Sequence, residues 1–527
     1  GVKSTTGASV EASPVFQTIK DAIANGTTLD DAQLEAIKSQ AIAPLLPLAA
    51  AIGLPAENIA VAWTVTTQSA GPVLQTLQAT VQPQESAFVP VPKDPTNPAA
   101  GVATTADLNP ALQGKADVYI GAMEIPYYLS ATDPLADFWN APDGKFLNAV
   151  AGRLMPEQNG VLTVPVILTV PNSTSATGGA ISGVVIFQHG ITQNRLNALA
   201  VADALADTGH AVIAIDLPLH GLTDKTNGLF ASSENPLYKA LAQVNPELDV
   251  SVLTEATLNL DVDGDGAIDP SGTHFINLAS LLTARDNVRQ GVANLMALTA
   301  TIPTIDYNIA LDGGVSGTDF DGLDIHFVGH SLGAIVGTSF LAVNDTVTTA
   351  TLAMPGGGLT QLFLNSPTFL PQINAGLAEN GLVPGTQLYY NFFRNAQTVI
   401  GKGDPINYGA TAAAAHPIHM IEVVGGASSP ADQVIPNLST DALANVMNLA
   451  CIDATTGFPT GAGLVQFSAG DHGSILSPAA SLQATVEMQT EMATFIGTSH
   501  VPVLPVPSVF GSTGPVFPRV IAPCPAP

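Results

Sequence analysis

The chain has 527 residues, 46% of them hydrophobic and 11% charged, which is ample apolar material for a folded core and excludes a disordered chain. Its 15 Lys and Arg against 43 Asp and Glu give a formal net charge of -28, so it would repel a nucleic-acid backbone or an anionic membrane surface. Nucleic acid is therefore not expected as a partner. At this length a single core stops growing, so a main domain of about 300 residues with at least one further module is expected.

Residues 1 to 80 read as two helices, VFQTIKDAIA and DDAQLEAIKSQA, followed by an alternating strand, NIAVAWTVTTQS. Between them the apolar run 41–56 is interrupted by prolines and falls short of the ~20 residues that a membrane-spanning helix needs, which predicts packed helix and loop. Two strand-like segments follow, ADVYIGAMEIPYYLS and GVLTVPVILTVPN, separated by Pro, Gly and Asp. Residues 1–175 are read as an N-terminal, non-catalytic, β-containing module that merges into the next domain, and no internal repeat is visible.

From residue 176 the pattern changes. GVVIFQHG, the helix LNALAVADALADTG and HAVIAIDLPLHG form a strand, helix, strand unit whose strands are continuous apolar runs, as in a parallel sheet covered on both faces. The theme returns with the helix RDNVRQGVANLMAL, the strand LDIHFVGH, the helix LGAIVGTSFLAV and the strands TVTTATLAMP and HMIEVVGG. Residues 176–527 are thus predicted to form a mostly parallel, doubly wound α/β domain. An apolar, aromatic-bearing insertion at about 356–415 reads as a helical cap that would suit an acyl chain, and 499–527 as a Pro-rich tail.

Gly329-His330-Ser331-Leu332-Gly333 matches G-x-S-x-G and lies between an apolar strand and an apolar helix, the context in which this motif carries a nucleophilic serine on a sharp turn. Acyl transfer also needs donors for the oxyanion. The segment Phe187-Gln188-His189-Gly190-Ile191-Thr192 offers the N–H of Ile191 to pair with that of Leu332, unless His189-Gly190 is only a strand-ending turn. His472, in AGDHGS before a closing helix, is placed where the general base of such a domain falls, whereas His220, His330, His416 and His419 fit structural or rim roles. For the acid, Asp432 follows the strand IEVVGG and is favoured over Asp404, which precedes that strand, and Asp471, which adjoins His472. The reaction these residues would support is two-step acyl transfer without an organic cofactor.

Asp261-Val-Asp-Gly-Asp-Gly-Ala-Ile-Asp269 places oxygen donors at Asp261, Asp263, Asp265, Ala267 (through its carbonyl) and Asp269, with a glycine at the sharp turn of a calcium-binding loop. Gly272 stands where such a loop carries its bidentate Glu, so a structural calcium or a solvated acidic turn are both open. The two cysteines, Cys451 and Cys524, suit one disulfide that would pin the tail beside the segment leading to His472. The chain opens at Gly1 without Met and without a charged-then-apolar segment, so any targeting sequence of the precursor is expected to have been removed or left out, and export is inferred.

AVAWTVTTQS, FQHGITQNR, DLPLHG, SGTHFINLASLLTARDNVRQ, GHSLG and GDHGSIL together resemble the bacterial virulence-factor-type extracellular lipases, a family that includes surface-exposed lysophospholipases of Gram-negative bacteria. The resemblance spans most of the chain. It implies an exported, often lipid-anchored protein of the α/β-hydrolase fold that acts on lipid esters, with a further segment ahead of the N-terminal module. It also implies Ser331, Asp432 and His472 as the triad. The function classes left open are a lipase or lysophospholipase with transient contact to a lipid surface, a carboxylesterase for short-chain or polymeric esters, and an inactive hydrolase fold serving as a surface binding module.

Overall fold

The computed structural model describes residues 10–62, 68–309, 311, 317–427, 429–453, 462–498 and 520–524. They fall into two compact units, Gly1–Gln68 and Ser69–Pro527. In the smaller unit, the helix Pro14–Asn25 is capped by the Ser13 side chain and ends at Gly26 in a left-handed conformation. It shares a small core of Phe16, Ile19, Ile42 and Leu46 with the segments that follow it. The apolar run near residue 45 forms the short helix Leu45–Ala51. Much of the expected strand AVAWTVTTQS lies outside the described residues.

The larger unit is organised by a ten-stranded sheet. In chain order its strands are β1 (Ser86–Pro90), β2 (Ala116–Tyr127), β3 (Gly160–Pro171), β4 (Gly183–Gln188), β5 (His210–Ile215), β6 (Asp324–His330), β7 (Val347–Ala353), β8 (Ile418–Val423), β9 (Cys451–Ile452) and β10 (Gly463–Phe467). Across the sheet they lie in the order β1-β2-β3-β5-β4-β6-β7-β8-β10-β9. From β5 to β9 all neighbours are parallel, while β1, β2 and β3 pair antiparallel at the other end. This is the α/β-hydrolase fold.

The residues 69–175, grouped above with an N-terminal module, contribute β1, β2 and β3 to this same sheet, and the compact units divide at Gln68 instead. Two features hold them there. β2 pairs with β3 along its whole length, and the helix Leu281–Thr301 receives the segment after β2 on buried polar side chains. Asp286 accepts from the Trp139 N–H at 2.9 Å, and Gln290 accepts from the Tyr128 N–H at 2.9 Å and donates to the Pro126 carbonyl at 2.9 Å. β1, which is five residues long, was not foreseen from its sequence.

The period-2 alternation of strand side chains divides the core in two. Val184 and Ile186 of β4 pack on one face with Val292 and Leu295 of the helix Leu281–Thr301. Val185 and Phe187 pack on the other with Ala202 and Leu205 of the helix Leu199–Ala206 and Met488 and Met492 of the helix Leu482–Gly497. Covered on both faces, β4 has no exposed position, which is why its sequence is a continuous apolar run. Each such side chain contributes roughly 1.5–3 kcal/mol by leaving water.

The strand order changes direction at β4: the chain steps from β4 to β5 on one side and then returns past β4 to β6 on the other. Such a switch point opens a crevice beyond the carboxyl ends of the two strands. Gln188 and Gly329 are in register at that end, so the turn after β4 and the turn after β6 emerge side by side. Between β7 and β8, in the expected cap segment, lie the helices Leu359–Asn365, Leu370–Ala378, Gln387–Ile400 and Gly409–Ala415.

Candidate active site

Ser331 sits between β6 and the helix Leu332–Leu341 with φ 54 and ψ -118, a strained backbone for a residue with a side chain. The strain is enforced by crowding. A Cβ on Gly333 would fall 2.1 Å from the Gln188 carbonyl oxygen, and one on Gly329 would fall 2.7 Å from the Ala334 backbone. Only glycine lets the elbow lie this close to β4. Leu332 opens its helix, so its N–H has no intrahelical partner and points the positive end of the helix toward Ser331.

The turn after β4 comes equally close. A Cβ on Gly190 would lie 3.0 Å from the Ser331 Cβ and 3.0 Å from His330 Nδ1. Within the turn the Gly190 N–H donates to the Gln193 side-chain oxygen at 2.9 Å, the Gln193 N–H donates to the Gly190 carbonyl at 3.3 Å, and Thr192 takes φ 65. From below, the buried His189 accepts from the Leu217 N–H at Nε2 (3.0 Å), leaving Nδ1–H to donate to the Gly190 carbonyl at 2.8 Å. Burial pushes this imidazole down to about 4, so it stays neutral.

Farther along the turn, the buried Arg195 donates to Asp216 at 2.5 Å and to both oxygens of Glu255 at 2.6 and 3.0 Å. Opposite charge keeps the guanidinium protonated in spite of its complete burial. Glu255 in turn accepts from the N–H groups of Leu222 and Ala231. This network fixes the loop after β5 against the Gly190 turn; Asp216 opens the DLPLHG motif noted above, whereas no motif had singled out Glu255.

Asp432 and His472 are brought together: His472 Nδ1 donates to Asp432 Oδ2 at 2.6 Å. The other carboxylate oxygen accepts from the N–H groups of Val434 and Ile435 at 2.7 and 3.0 Å, and the side chain is almost fully buried. Two backbone donors on one oxygen aim the other at the imidazole and hold the ring in one tautomer, with Nε2 free for a proton. The alternative acids are engaged elsewhere. Asp404 accepts from the Gly358 and Leu359 N–H groups and from Gln397, inside the cap. Asp471 accepts from the Gly473 N–H and the Ser474 hydroxyl.

The elbow and the base are joined through His330. Its Nε2 lies 2.8 Å from the His472 carbonyl and its Nδ1 3.1 Å from the Gln193 side-chain oxygen. His416 is held between the carbonyls of Val347, Leu341 and Asn344, and His220 contacts the Pro218 carbonyl.

Above Ser331 lies an apolar pocket that is partly open to solvent. Ile191, Ser331 and Leu332 form its floor, the helix Leu281–Thr301 one wall, and Leu362, Phe363, Phe392, Phe393, Ala396 and Ile400 of the cap another. Besides Ser331, Thr360 and Arg285 are the only residues of the lining with polar side chains. Arg285 turns its guanidinium to Asp286, with contacts of 2.8 and 2.6 Å. The cap also keeps its own small core of Ile373, Leu377, Tyr389 and Phe393.

In the acidic loop, carboxylate oxygens of Asp261, Asp263 and Asp265 lie within 4.8 Å of one another, on exposed residues. Asp269 accepts from His274 Nε2 at 2.8 Å and from the Val262 N–H of the same loop at 2.9 Å. The Ala267 N–H donates to Asp265. Ser271, two residues beyond Asp269, donates to the Gln193 carbonyl at 2.6 Å, so the loop adjoins the Gly190 turn through the chain.

Cys451 and Cys524 form a disulfide with a Cα–Cα distance of 5.8 Å. Beside it the tail runs along β10: the Ser468 N–H donates to the Val520 carbonyl and the Ala522 N–H to that of Gln466. Most of the Pro-rich tail lies outside the described residues. Among the described residues no helix is long and apolar enough to cross a membrane.

No family model matches the chain, and no curated protein matches it. Solved structures do. An acetyl xylan esterase from Paenibacillus sp. R4 is 12% identical, with 78% of this chain and 91% of that chain covered and a TM-score of 0.36. Acetyl xylan esterase 1 from Thermoanaerobacterium sp. JW/SL YS485 is 12% identical over 71% of this chain and 82% of that one, with a TM-score of 0.37. A cold-adapted esterase from an Arctic intertidal metagenomic library is 13% identical over 73% and 98%, with a TM-score of 0.32. Similarity this low carries no argument about the reaction or its substrate.

Proposed function

We propose that the protein is an exported serine hydrolase that cleaves lipid acyl esters, a lipase or lysophospholipase. His472 takes the proton of Ser331, the alkoxide attacks the ester carbonyl, and the N–H groups of Ile191 and Leu332 receive the oxyanion. Protonation of the leaving alcohol by His472 gives the acyl-enzyme, which water then hydrolyses by the same route. Asp432 holds the imidazolium form and the ring's orientation. The observation that carries the lipid reading is the apolar cavity with Ser331 in its floor, since an acyl chain lying there buries about 0.8 kcal/mol per methylene. The resemblance to extracellular lipases supports the same class, and the disulfide suits an oxidising compartment.

Asp261, Asp263 and Asp265 would hold a calcium ion, a hard cation that takes oxygen ligands. Its role would be structural, steadying the loop that leads into Ser271 and the Gly190 turn.

The test is hydrolysis of p-nitrophenyl esters of increasing chain length by the wild type and Ser331→Ala, with and without a calcium chelator. Turnover that rises with chain length and vanishes in Ser331→Ala is expected, with a lower melting temperature in chelator. Turnover confined to short chains would replace the lipid reading with a carboxylesterase. No serine-dependent turnover would leave a binding module.

A further inference from the structure

His330 occupies the variable position of the elbow, and G-x-S-x-G makes no chemical demand on it. In this chain it is fully buried and lies between two loops that approach Ser331. One is the Gly190–Gln193 turn, which carries Ile191. The other is the loop that carries His472. The His472 carbonyl can only accept, and the Gln193 side-chain oxygen already receives the Gly190 N–H at 2.9 Å. A neutral imidazole has a single hydrogen to give, so it belongs on Nε2 and is donated to the His472 carbonyl at 2.8 Å. The ring is neutral because burial, with His472 close by, pushes it down to about 3.

We propose that His330 is the positioning residue of the general base: its Nε2–H, donated to the backbone carbonyl of His472, locks the base loop to the nucleophile elbow while its other edge abuts Gln193 of the oxyanion turn. Asp432 orients the imidazole of His472 from the far side, but a side-chain contact cannot hold the backbone on which that ring is mounted. The elbow is crowded by β4 and the Gly190 turn, so a bond from its own side chain ties the base to the nucleophile directly. The ring centroids of His330 and His472 lie 5.1 Å apart.

This inference rests on the serine-hydrolase reading, and two substitutions test it. His330→Leu fills similar space without an N–H, whereas His330→Gln keeps a side-chain N–H near the position of Nε2. Three quantities are read: kcat and KM on p-nitrophenyl butyrate, the rate of labelling by a fluorophosphonate, and the downfield proton signal of His472 Nδ1–H in protein labelled with ¹⁵N in its histidine rings. In His330→Leu, kcat and labelling should fall by about ten- to a hundredfold with KM nearly unchanged, because small misplacement of a catalytic group costs on that order. The downfield signal should broaden or vanish. His330→Gln should recover most of the rate and the signal. Unchanged kcat and signal in His330→Leu, or equal losses in both variants, would overturn the proposal and leave His330 as packing alone. If the wild type fails to label, the hydrolase reading falls, and the His472 signal in the two variants alone decides the positioning role.

Discussion

On the sheet side of the cavity, the Gly190 turn, the Ser331 elbow and the His472 loop meet through hydrogen bonds and clearances that exclude even a methyl group. On the opposite side, the cap helices Leu359–Asn365 and Gln387–Ile400 present aromatic and aliphatic carbon, and the cap has a core of its own. On the proposed hydrolase reading, the first wall would decide whether a bond is broken, and its clearances tolerate almost no change of shape. The second would decide which chain lies beside that bond, and packing of apolar carbon is tolerant of exchange at constant volume. Substitutions on the sheet wall should therefore alter kcat, and those on the cap wall should alter preference among substrates.

The largest effect is expected from Asp432→Asn. It keeps the shape but presents an amide to an imidazole that needs an acceptor, so kcat on p-nitrophenyl butyrate should fall by about 10³- to 10⁴-fold with little change in KM. A loss of less than tenfold would remove Asp432 from the mechanism. On the other wall, Ala396→Phe should fill part of the cavity and exclude about two methylenes of the chain. At about 0.8 kcal/mol each, this lowers kcat/KM for a dodecanoate relative to a butyrate by about tenfold. An unchanged ratio would place the chain outside this cavity and weaken the contrast between the walls.

The smallest expected effect is on stability. Burial pushes His330, His220 and His419 to about 3, and His189 and His210 to about 4. In the unfolded chain these rings take up protons near 6.5. Their folded values are depressed, so the stability they allow is complete above 6.5 and is lost as the pH falls toward 4. Glu422, pushed up to about 7 by burial, acts in the opposite sense between 4.5 and 7 and offsets part of this loss. The cap segment 356–415 contains no histidine. Thermal unfolding followed from pH 7 to pH 5 should show a melting temperature lower by several degrees. Hydrogen exchange should show protection lost first around the sheet-wall loops, and loss beginning in the cap would contradict this account.

Much of the fold was legible because the central strands are buried on both faces and so announce themselves as apolar runs, as in β4 and β6. The elbow was legible because its chemistry is local, written in five consecutive residues. The meeting of Asp432 with His472 was also anticipated, since each follows a recognisable strand. What stayed hidden depends on partners distant in the chain. β1 is short and made a strand by β2. The place of residues 69–175 in the sheet rests on the pairing of β2 with β3 and on Asp286 and Gln290 of a distant helix. Asp269 belongs by spacing to the acidic loop, and its contact with His274 could not be read from that spacing. His330 looked like the filler of its motif until the His472 carbonyl came beside it.

The bond between Cys451 and Cys524 spans 73 positions of sequence, and that span contains His472 and the helix Leu482–Gly497. The part of the chain that carries the base is thus a covalent ring, joined to the remainder at one edge of the sheet. Closing a ring of this size restricts the unfolded ensemble by an entropy equivalent to about 4 kcal/mol. The restriction exists only where thiols are oxidised. The segment holding His472 therefore reaches its full resistance to unfolding only in an oxidising compartment, and in a reducing one it is weaker by about that amount.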